Sequence, residues 1–176
     1  NPTGRTAQPE LLREIVRKCT ENGVKLVVDE CFNDFLTDAE RHTRKDLLES
    51  NPGLFILRAY TKMYAVPGVR FGWCMTADAA LIEKLYHAGQ PWNVSVIAQA
   101  CAAAAANEPD WAAETAKRIA EERRFLSDGL AACGLTVFPG EANFLLFRSN
   151  DTGLHEKLAE HGIMIRNCDN YRGLSA

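Results

Sequence analysis

Two basic residues, Lys62 and Arg70, lie in the otherwise apolar stretch TKMYAVPGVRFGW, residues 61–73. Either side chain alone can reach water past apolar surface, but burying both charges is costly unless an anionic partner meets them. A lysine amine that is held neutral forms imines with aldehydes. A guanidinium binds phosphate through paired hydrogen bonds. Together the two residues favour a ligand that carries an aldehyde and a phosphate.

Two polar residues extend this chemistry. Asp29 ends the apolar run VKLVVDE, where its carboxylate can keep a ring nitrogen protonated so that the ring accepts electrons. Asn1 opens the turn NPTG, and its amide can donate to a ligand oxygen. Thr61 offers a hydroxyl to the phosphate, and Gly68 allows close backbone approach. Pyridoxal 5′-phosphate combines the aldehyde, the phosphate and the ring nitrogen, and we expect it as the cofactor.

The hydrophobic pattern up to residue 75 alternates helices with short buried strands. It predicts helices over 9–22 and 39–50 and strands over 24–30, 54–60 and 69–75. Such alternation is typical of an α/β fold with a parallel sheet, whose ligands bind beyond the carboxyl ends of the strands. Asp29 and Lys62 follow two of these strands, so we expect the sheet to bring them to one edge.

After residue 75 the pattern becomes more helical and ends in an α+β arrangement. It predicts helices over 78–87, 95–106, 109–133 and 153–161 and short strands over 135–139, 143–147 and 163–167. We therefore expect two domains. Residues 1–108 form the rear part of a large α/β domain, and residues 109–176 form a small C-terminal domain.

The motifs NPTG, VVDECF and TKMYAVPGVRFGW resemble the signature of the fold-type I, pyridoxal-phosphate-dependent aminotransferases of class I and II. That signature runs Asn-Pro-x-Gly, Asp-x-x-Tyr, Ser-Lys and Gly-x-Arg-x-Gly. The resemblance implies a large domain with a mostly parallel sheet and flanking helices. It also implies that Lys62 holds the cofactor as an internal aldimine and moves the substrate proton. Asn1 would bind the phenolic oxygen and Asp29 the pyridine nitrogen, while Thr61 and Arg70 would bind the phosphate.

Two later segments resemble the histidinol-phosphate aminotransferase and threonine-phosphate decarboxylase branch of that family. They are GEANFLLF, residues 140–147, and GIMIRNCDNYRGL, residues 162–174. The resemblance implies that Arg166 contacts the substrate's phosphate or carboxylate and that Asn143 also binds substrate. The implied protein is a cytoplasmic homodimer that either transaminates or decarboxylates an amino acid or amino-acid phosphate, such as threonine O-3-phosphate.

The sequence departs from the family's usual residues at two cofactor contacts. Ala59, three residues before Lys62, stands where the family often has a hydroxyl that binds the phosphate. Phe32 occupies the position where the family usually has a tyrosine whose hydroxyl also binds the phenolic oxygen. The resemblance covers the whole chain but only about the second half of a complete enzyme. We therefore expect a C-terminal half, inactive when isolated.

Composition and motifs argue against several other classes. A net charge of −3 gives no basic footprint for nucleic acid, and no apolar run is long enough to span a membrane. The six scattered cysteines lack the spacing of a zinc site and are typical of reduced thiols in a cytosolic protein. Asp29 and Glu30 after an apolar strand also fit the second acidic motif of a P-loop ATPase, but the phosphate-binding G-x-x-x-x-G-K-[ST] is absent. A non-catalytic pyridoxal-phosphate-binding effector module, as in some transcription regulators, remains an alternative.

Overall fold

The computed structural model describes residues 3–108 and 110–174; Asn1, a predicted cofactor contact, lies outside them. Seven α-helices and five β-strands follow one another in these ranges. They are α1 (Pro9–Glu21), β1 (Leu26–Asp29), α2 (Ala39–His42), β2 (Leu54–Ala59), α3 (Tyr60–Met63), β3 (Gly72–Met75), α4 (Ala79–Ala88), α5 (Val96–Ala106), α6 (Trp111–Ala132), β4 (Thr136–Phe138), β5 (Leu146–Arg148) and α7 (Leu154–Glu160).

The chain forms two compact units. One unit is residues 6–120, and the other joins residues 3–5 to residues 121–174. The change from one unit to the other falls within α6. The predicted domain division between residues 108 and 109 stays a prediction.

The first unit contains a three-stranded sheet in the order β1-β2-β3. β1 and β2 are parallel, with Leu26 opposite Leu54 and Asp29 opposite Leu57. β3 returns antiparallel along the other side of β2. The carboxyl ends of β1 and β2 therefore lie side by side, and Asp29 and the start of α3 share one edge of the sheet.

The core of this unit forms where α1 packs on the sheet. Val16 of α1 meets Leu54 and Ile56 of β2, and all three side chains are almost fully buried. α1 begins with Pro9, whose missing N–H costs nothing in the first turn. The prediction that the strands are buried on both faces is wrong for β1, where Val27 is 58% exposed. No element of the described residues covers that face.

The helix predicted over 39–50 is wrong in its middle. α2 ends at His42, and a short 3-10 helix over Lys45–Leu47 follows it. The buried carboxylate of Glu30 accepts the Thr43 hydroxyl at 2.8 Å and the Arg44 backbone N–H at 2.8 Å. Because Glu30 takes this N–H away from a helical hydrogen bond, a tertiary contact overrides the local helical pattern.

The second unit contains the antiparallel pair β4 and β5, with Val137 opposite Phe147. The strand predicted over 163–167 is wrong, since these residues form neither helix nor strand. A strand needs a neighbour to pair with, and β4 and β5 pair only with each other within the described part of the chain. Among the helices that the structure describes, none is both long and apolar enough to cross a membrane.

Candidate active site

Lys62 lies on α3, a single helical turn that begins where β2 ends. So short a helix is not stable by itself, so its surroundings must hold it. The side chains on either side of Lys62 are buried, with Thr61 9% and Met63 3% exposed, whereas Lys62 itself is exposed. The two buried neighbours therefore anchor the turn and leave the amine of Lys62 accessible.

The amine of Lys62 faces an aromatic ring instead of an acid. Its Nζ lies 5.8 Å from the centroid of the Phe32 ring, within the range of a cation–π contact. In the part of the chain that the structure describes, this Nζ has no hydrogen bond and no ion pair. A nucleophilic amine at a sheet edge is thus left available for a ligand.

Asp29 ends β1, and its Oδ1 accepts the backbone N–H of Cys31 at 2.9 Å. Burial, then a hydrogen bond to the Asp29 carboxylate and the charge of that carboxylate, raise the pKa of the Cys31 thiol to about 12. The charges of Arg58 and Lys62 act on the same thiol in the opposite direction. Asp29 ends β1 and Lys62 follows β2, at the edge where these parallel strands end.

Arg70 follows the turn that leads away from α3. A 3-10 helix over Pro67–Val69 packs against α3 and α5. The guanidinium of Arg70 is exposed and donates from Nη1 to the carbonyl of Pro67 at 2.7 Å. No carboxylate pairs with it in the described ranges, so most of its donors remain available to an anion.

The backbone of this turn is strained at two residues that are not glycine. Ala65 and Arg70 have φ of 51° and 58°, in the left-handed region that costs an L-residue roughly 1–2 kcal/mol. Strain of this kind persists only where surrounding structure imposes it, and it concentrates at functional sites.

A buried charge network next to Lys62 was missed by the sequence analysis. Arg58 of β2 donates from Nε and Nη2 to Glu30 Oε2, at 3.1 and 2.9 Å, and from Nη1 to Asp34 at 2.5 Å. The Glu30 side chain is 3% exposed and that of Arg58 13%. This network ties the loop that carries Asp29 and Phe32 to the strand that carries Lys62. The sequence does contain a sign of this network, because Arg58 is a charged residue in an apolar strand, as Lys62 is in an apolar stretch.

In the second unit, Gly4 of the NPTG motif meets the loop of the EANF motif. The carbonyl of Gly4 accepts the N–H of Glu141 at 2.7 Å and of Ala142 at 3.1 Å. Gly4 has a φ of +70°, and a Cβ there would lie 3.2 Å from the carbonyl oxygen of Phe144. Only glycine fits this position without strain. Asn143, a predicted substrate contact, is exposed on this loop.

Arg166, the other predicted substrate contact, lies after α7 in the same unit. Its guanidinium carbon is 5.8 Å from the centroid of the Tyr171 ring. It lines an open cavity of about 470 Å³ together with His155, Asn167 and Asp169. An exposed guanidinium can bind an anion, although the carboxylate of Asp169 lines the same cavity.

The structure thus brings Lys62, Thr61, Phe32 and Asp29 together in the first unit. Arg70 follows a turn packed against the Lys62 helix. Asn143 and Arg166 lie in the second unit, and their predicted roles toward a substrate stay predictions.

Comparison with known proteins agrees with this architecture. Residues 1–172 match the sequence profile of the aminotransferase class I and II family. The threonine-phosphate decarboxylase of Salmonella typhimurium is 34% identical over 100% of this chain and 49% of its own length. The chain spans about half the length of the curated relatives it matches.

Two solved structures share the fold. The histidinol-phosphate aminotransferase from Clostridium acetobutylicum superposes with a TM-score of 0.91 at 30% identity, over 99% of this chain and 53% of that one. The histidinol-phosphate aminotransferase from Sinorhizobium meliloti, in complex with pyridoxal-5′-phosphate, has a TM-score of 0.80 at 24% identity, over 94% of this chain and 46% of that one. The predicted α/β class, part of the fold-type I aminotransferase fold, is confirmed. The chain belongs to the aminotransferase class I and II family.

Proposed function

We propose that this chain is part of a pyridoxal-phosphate-dependent enzyme in which Lys62 holds the cofactor. The observation that carries the proposal is the Lys62 amine, which is without an ion pair among the described residues and lies over Phe32. It lies at the sheet edge where Asp29 ends β1. Membership of an aminotransferase family supports the same cofactor.

The described residues fit this cofactor group by group. The accessible amine of Lys62 suits its aldehyde, and the unpaired guanidinium face of Arg70 with the Thr61 hydroxyl suits its phosphate. The Asp29 carboxylate accepts the Cys31 N–H through one oxygen, and an ionised carboxylate has further lone pairs for a proton donor. Phe32 provides an aromatic ring beside the amine but no hydroxyl. Asn1, the other proposed contact, lies outside the described residues.

Each of these residues has a definite task in the proposed reaction. Pyridoxal phosphate supplies an electrophilic carbon and an electron-accepting ring when it is bound. Lys62 would hold that carbon through its amine, with loss of water. Once the amine of the substrate had displaced it, the freed Lys62 amine would move a proton at the substrate α-carbon. Asp29 keeps a proton on the ring nitrogen. Arg70 and Thr61 fix the phosphate and so set the orientation of the ring.

We infer that the substrate is an amine that carries a phosphate. The relatives named above are a threonine-phosphate decarboxylase and histidinol-phosphate aminotransferases, so both reaction types act on phosphorylated amines. The exposed guanidinium of Arg166 suits such a dianion. Asn143 is proposed as a second substrate contact.

Product analysis of the full-length protein tests the reaction type. Release of carbon dioxide from threonine O-3-phosphate supports decarboxylation, and amino transfer from histidinol phosphate to 2-oxoglutarate supports transamination. Lys62→Ala should abolish either reaction, whereas Lys45→Ala, an exposed lysine paired with Glu40, should not. Turnover that survives Lys62→Ala contradicts the proposal. Cofactor binding without turnover of any amine supports the alternative of a non-catalytic binding module.

We further propose a cytoplasmic homodimer. Val96 and Ile97 at the start of α5 are apolar side chains that are 81% and 71% exposed, and exposed apolar surface favours association. Light scattering on the full-length protein and on Ile97→Asp tests the dimer. A monomeric full-length protein, or a dimer that Ile97→Asp leaves unchanged, contradicts it at this surface.

A further inference from the structure

The one-turn helix that carries Lys62 has carbonyls that it cannot pair internally. In α3 the Tyr64 N–H reaches the carbonyl of Tyr60 and the Ala65 N–H that of Lys62, both at 3.1 Å. The last carbonyls of a helix need partners from outside it. For Met63, the residue after Lys62, the partner is Trp111, whose indole Nε1–H donates to the Met63 oxygen at 3.2 Å.

Trp111 is also the last member of a group of packed aromatic rings beside the same turn. Its ring stacks on Tyr64, with centroids 6.5 Å apart and planes 17° apart. Tyr64 meets Tyr60 edge to face at 4.8 Å, and Tyr60 packs at 4.6 Å on Trp73 of β3. Tyr60 and Tyr64 bracket the turn that carries Lys62, so the rings hold it from both ends.

We propose that Trp111 is a positioning residue for Lys62: its indole N–H and ring fix the carbonyl end of α3 and thereby the direction of the Lys62 side chain. The inference rests on the proposed function of Lys62. Trp111 belongs to the first turn of α6, 48 positions along the chain from Met63, so local sequence does not impose the contact. Tryptophan alone among the side chains offers both a large flat ring and a ring N–H that only donates.

Hydrogen exchange tests the positioning without any cofactor. In the cofactor-free, full-length protein, Trp111→Phe keeps a ring for Tyr64 but removes the N–H. We expect amide exchange in a peptide over 60–66 to become about fivefold faster, the factor for one ordinary hydrogen bond. In the same variant, amide exchange in a peptide over β1 should stay unchanged. The matched control Trp92→Phe, at a 96% exposed tryptophan, should leave amide exchange over 60–66 unchanged. Unchanged exchange over 60–66, or equal acceleration in all peptides, overturns the proposal.

A second measurement needs no variant that could misfold. In the unaltered protein the indole N–H of Trp111 should exchange more slowly with solvent than that of Trp92, and equal rates overturn the hydrogen bond.

Titration with pyridoxal phosphate then links the contact to Lys62. Trp111→Phe should bind about fivefold more weakly than Trp92→Phe, and equal binding overturns the positioning role. If Lys62 never binds the cofactor, the proposed function fails while the exchange result still stands, so the two failures are distinguishable.

Discussion

The Nζ of Lys62 lies 5.8 Å from the centroid of the Phe32 ring, at the edge of the sheet where β1 and β2 end. The contact joins the residue on which the proposed chemistry depends to the one that departs from the family signature. A tyrosine at this position would place a hydroxyl on the ring beside the amine. Phe32 therefore keeps the aromatic contact and omits one hydrogen-bond donor.

Phe32→Tyr should strengthen binding of pyridoxal phosphate. The added hydroxyl can donate to the cofactor's phenolic oxygen, and one such hydrogen bond is worth about 1 kcal/mol, or about fivefold in affinity. Absorbance titration of the full-length protein measures this change. Phe125→Tyr, at a 78% exposed phenylalanine, is the matched control and should leave the affinity as it is. Weaker or equal binding by Phe32→Tyr would argue against a hydroxyl site at this ring.

The Cys31 thiol should resist alkylation well above neutral pH. Burial, then the hydrogen bond and charge of Asp29, raise its pKa from 9.0 to about 12. The folded state therefore favours the protonated thiol; this stabilisation is present below pH 9.0 and is lost as the pH rises toward about 12. Since only the thiolate reacts, iodoacetamide at pH 9 should label the exposed Cys133 much faster than Cys31 in the cofactor-free protein.

Asp29→Asn tests which group holds the Cys31 pKa high. Removing the carboxylate charge lowers that pKa, so Cys31 should be alkylated faster at pH 9 than in the unaltered protein. Asp46→Asn, at an exposed aspartate paired with Arg13, is the control and should not change the rate. Equal rates for Asp29→Asn and the unaltered protein would mean that Asp29 does not contact the thiol.

Glu30→Ala should destabilise the fold strongly. The substitution removes one of the two carboxylate partners of Arg58, whose side chain is 13% exposed. Breaking a buried ion pair in this way lowers the free energy of unfolding by roughly 3–5 kcal/mol. Asp46→Ala removes an exposed ion pair with Arg13, which is worth roughly 0.2–1 kcal/mol. Urea unfolding of both variants compares the two losses. Similar small losses would show that the Glu30 network does not hold the loop.

Two glycine substitutions should change stability in opposite directions. Gly4→Ala places a Cβ 3.2 Å from the Phe144 carbonyl oxygen at a φ of +70°, and the left-handed conformation alone costs roughly 1–2 kcal/mol. Gly129→Ala lies within α6 with no atom within 4 Å of the new Cβ, and it should gain about 0.5–1 kcal/mol. Thermal unfolding measures both, and a Gly4→Ala variant as stable as the unaltered protein would contradict the observed turn.

The sequence predicted most of the helices and strands and the sheet edge at which Asp29 and Lys62 lie. The helical spacing around Val16 and the apolar runs of β1 and β2 are local patterns, and they correctly predicted one helix and two strands. Asp29 and Lys62 were placed together because parallel strands end at the same edge.

The parts that escaped prediction depend on contacts between distant residues. Glu30 binds the Thr43 hydroxyl and the Arg44 N–H and thereby ends a helix that local pattern continues. Trp111 and Met63 are joined by a hydrogen bond that no local pattern signals. Residues 163–167 have the composition of a strand, but pairing depends on a neighbour that composition does not reveal.

Borohydride reduction tests the central claim most directly. The full-length protein is incubated with pyridoxal phosphate, reduced and digested, and the modified peptide is identified by mass spectrometry. Lys45→Ala is the control, which should keep the label. The account predicts a reduced pyridoxyl group on Lys62 and none in Lys62→Ala. A label on another lysine, or no label on a protein that binds the cofactor, would contradict it.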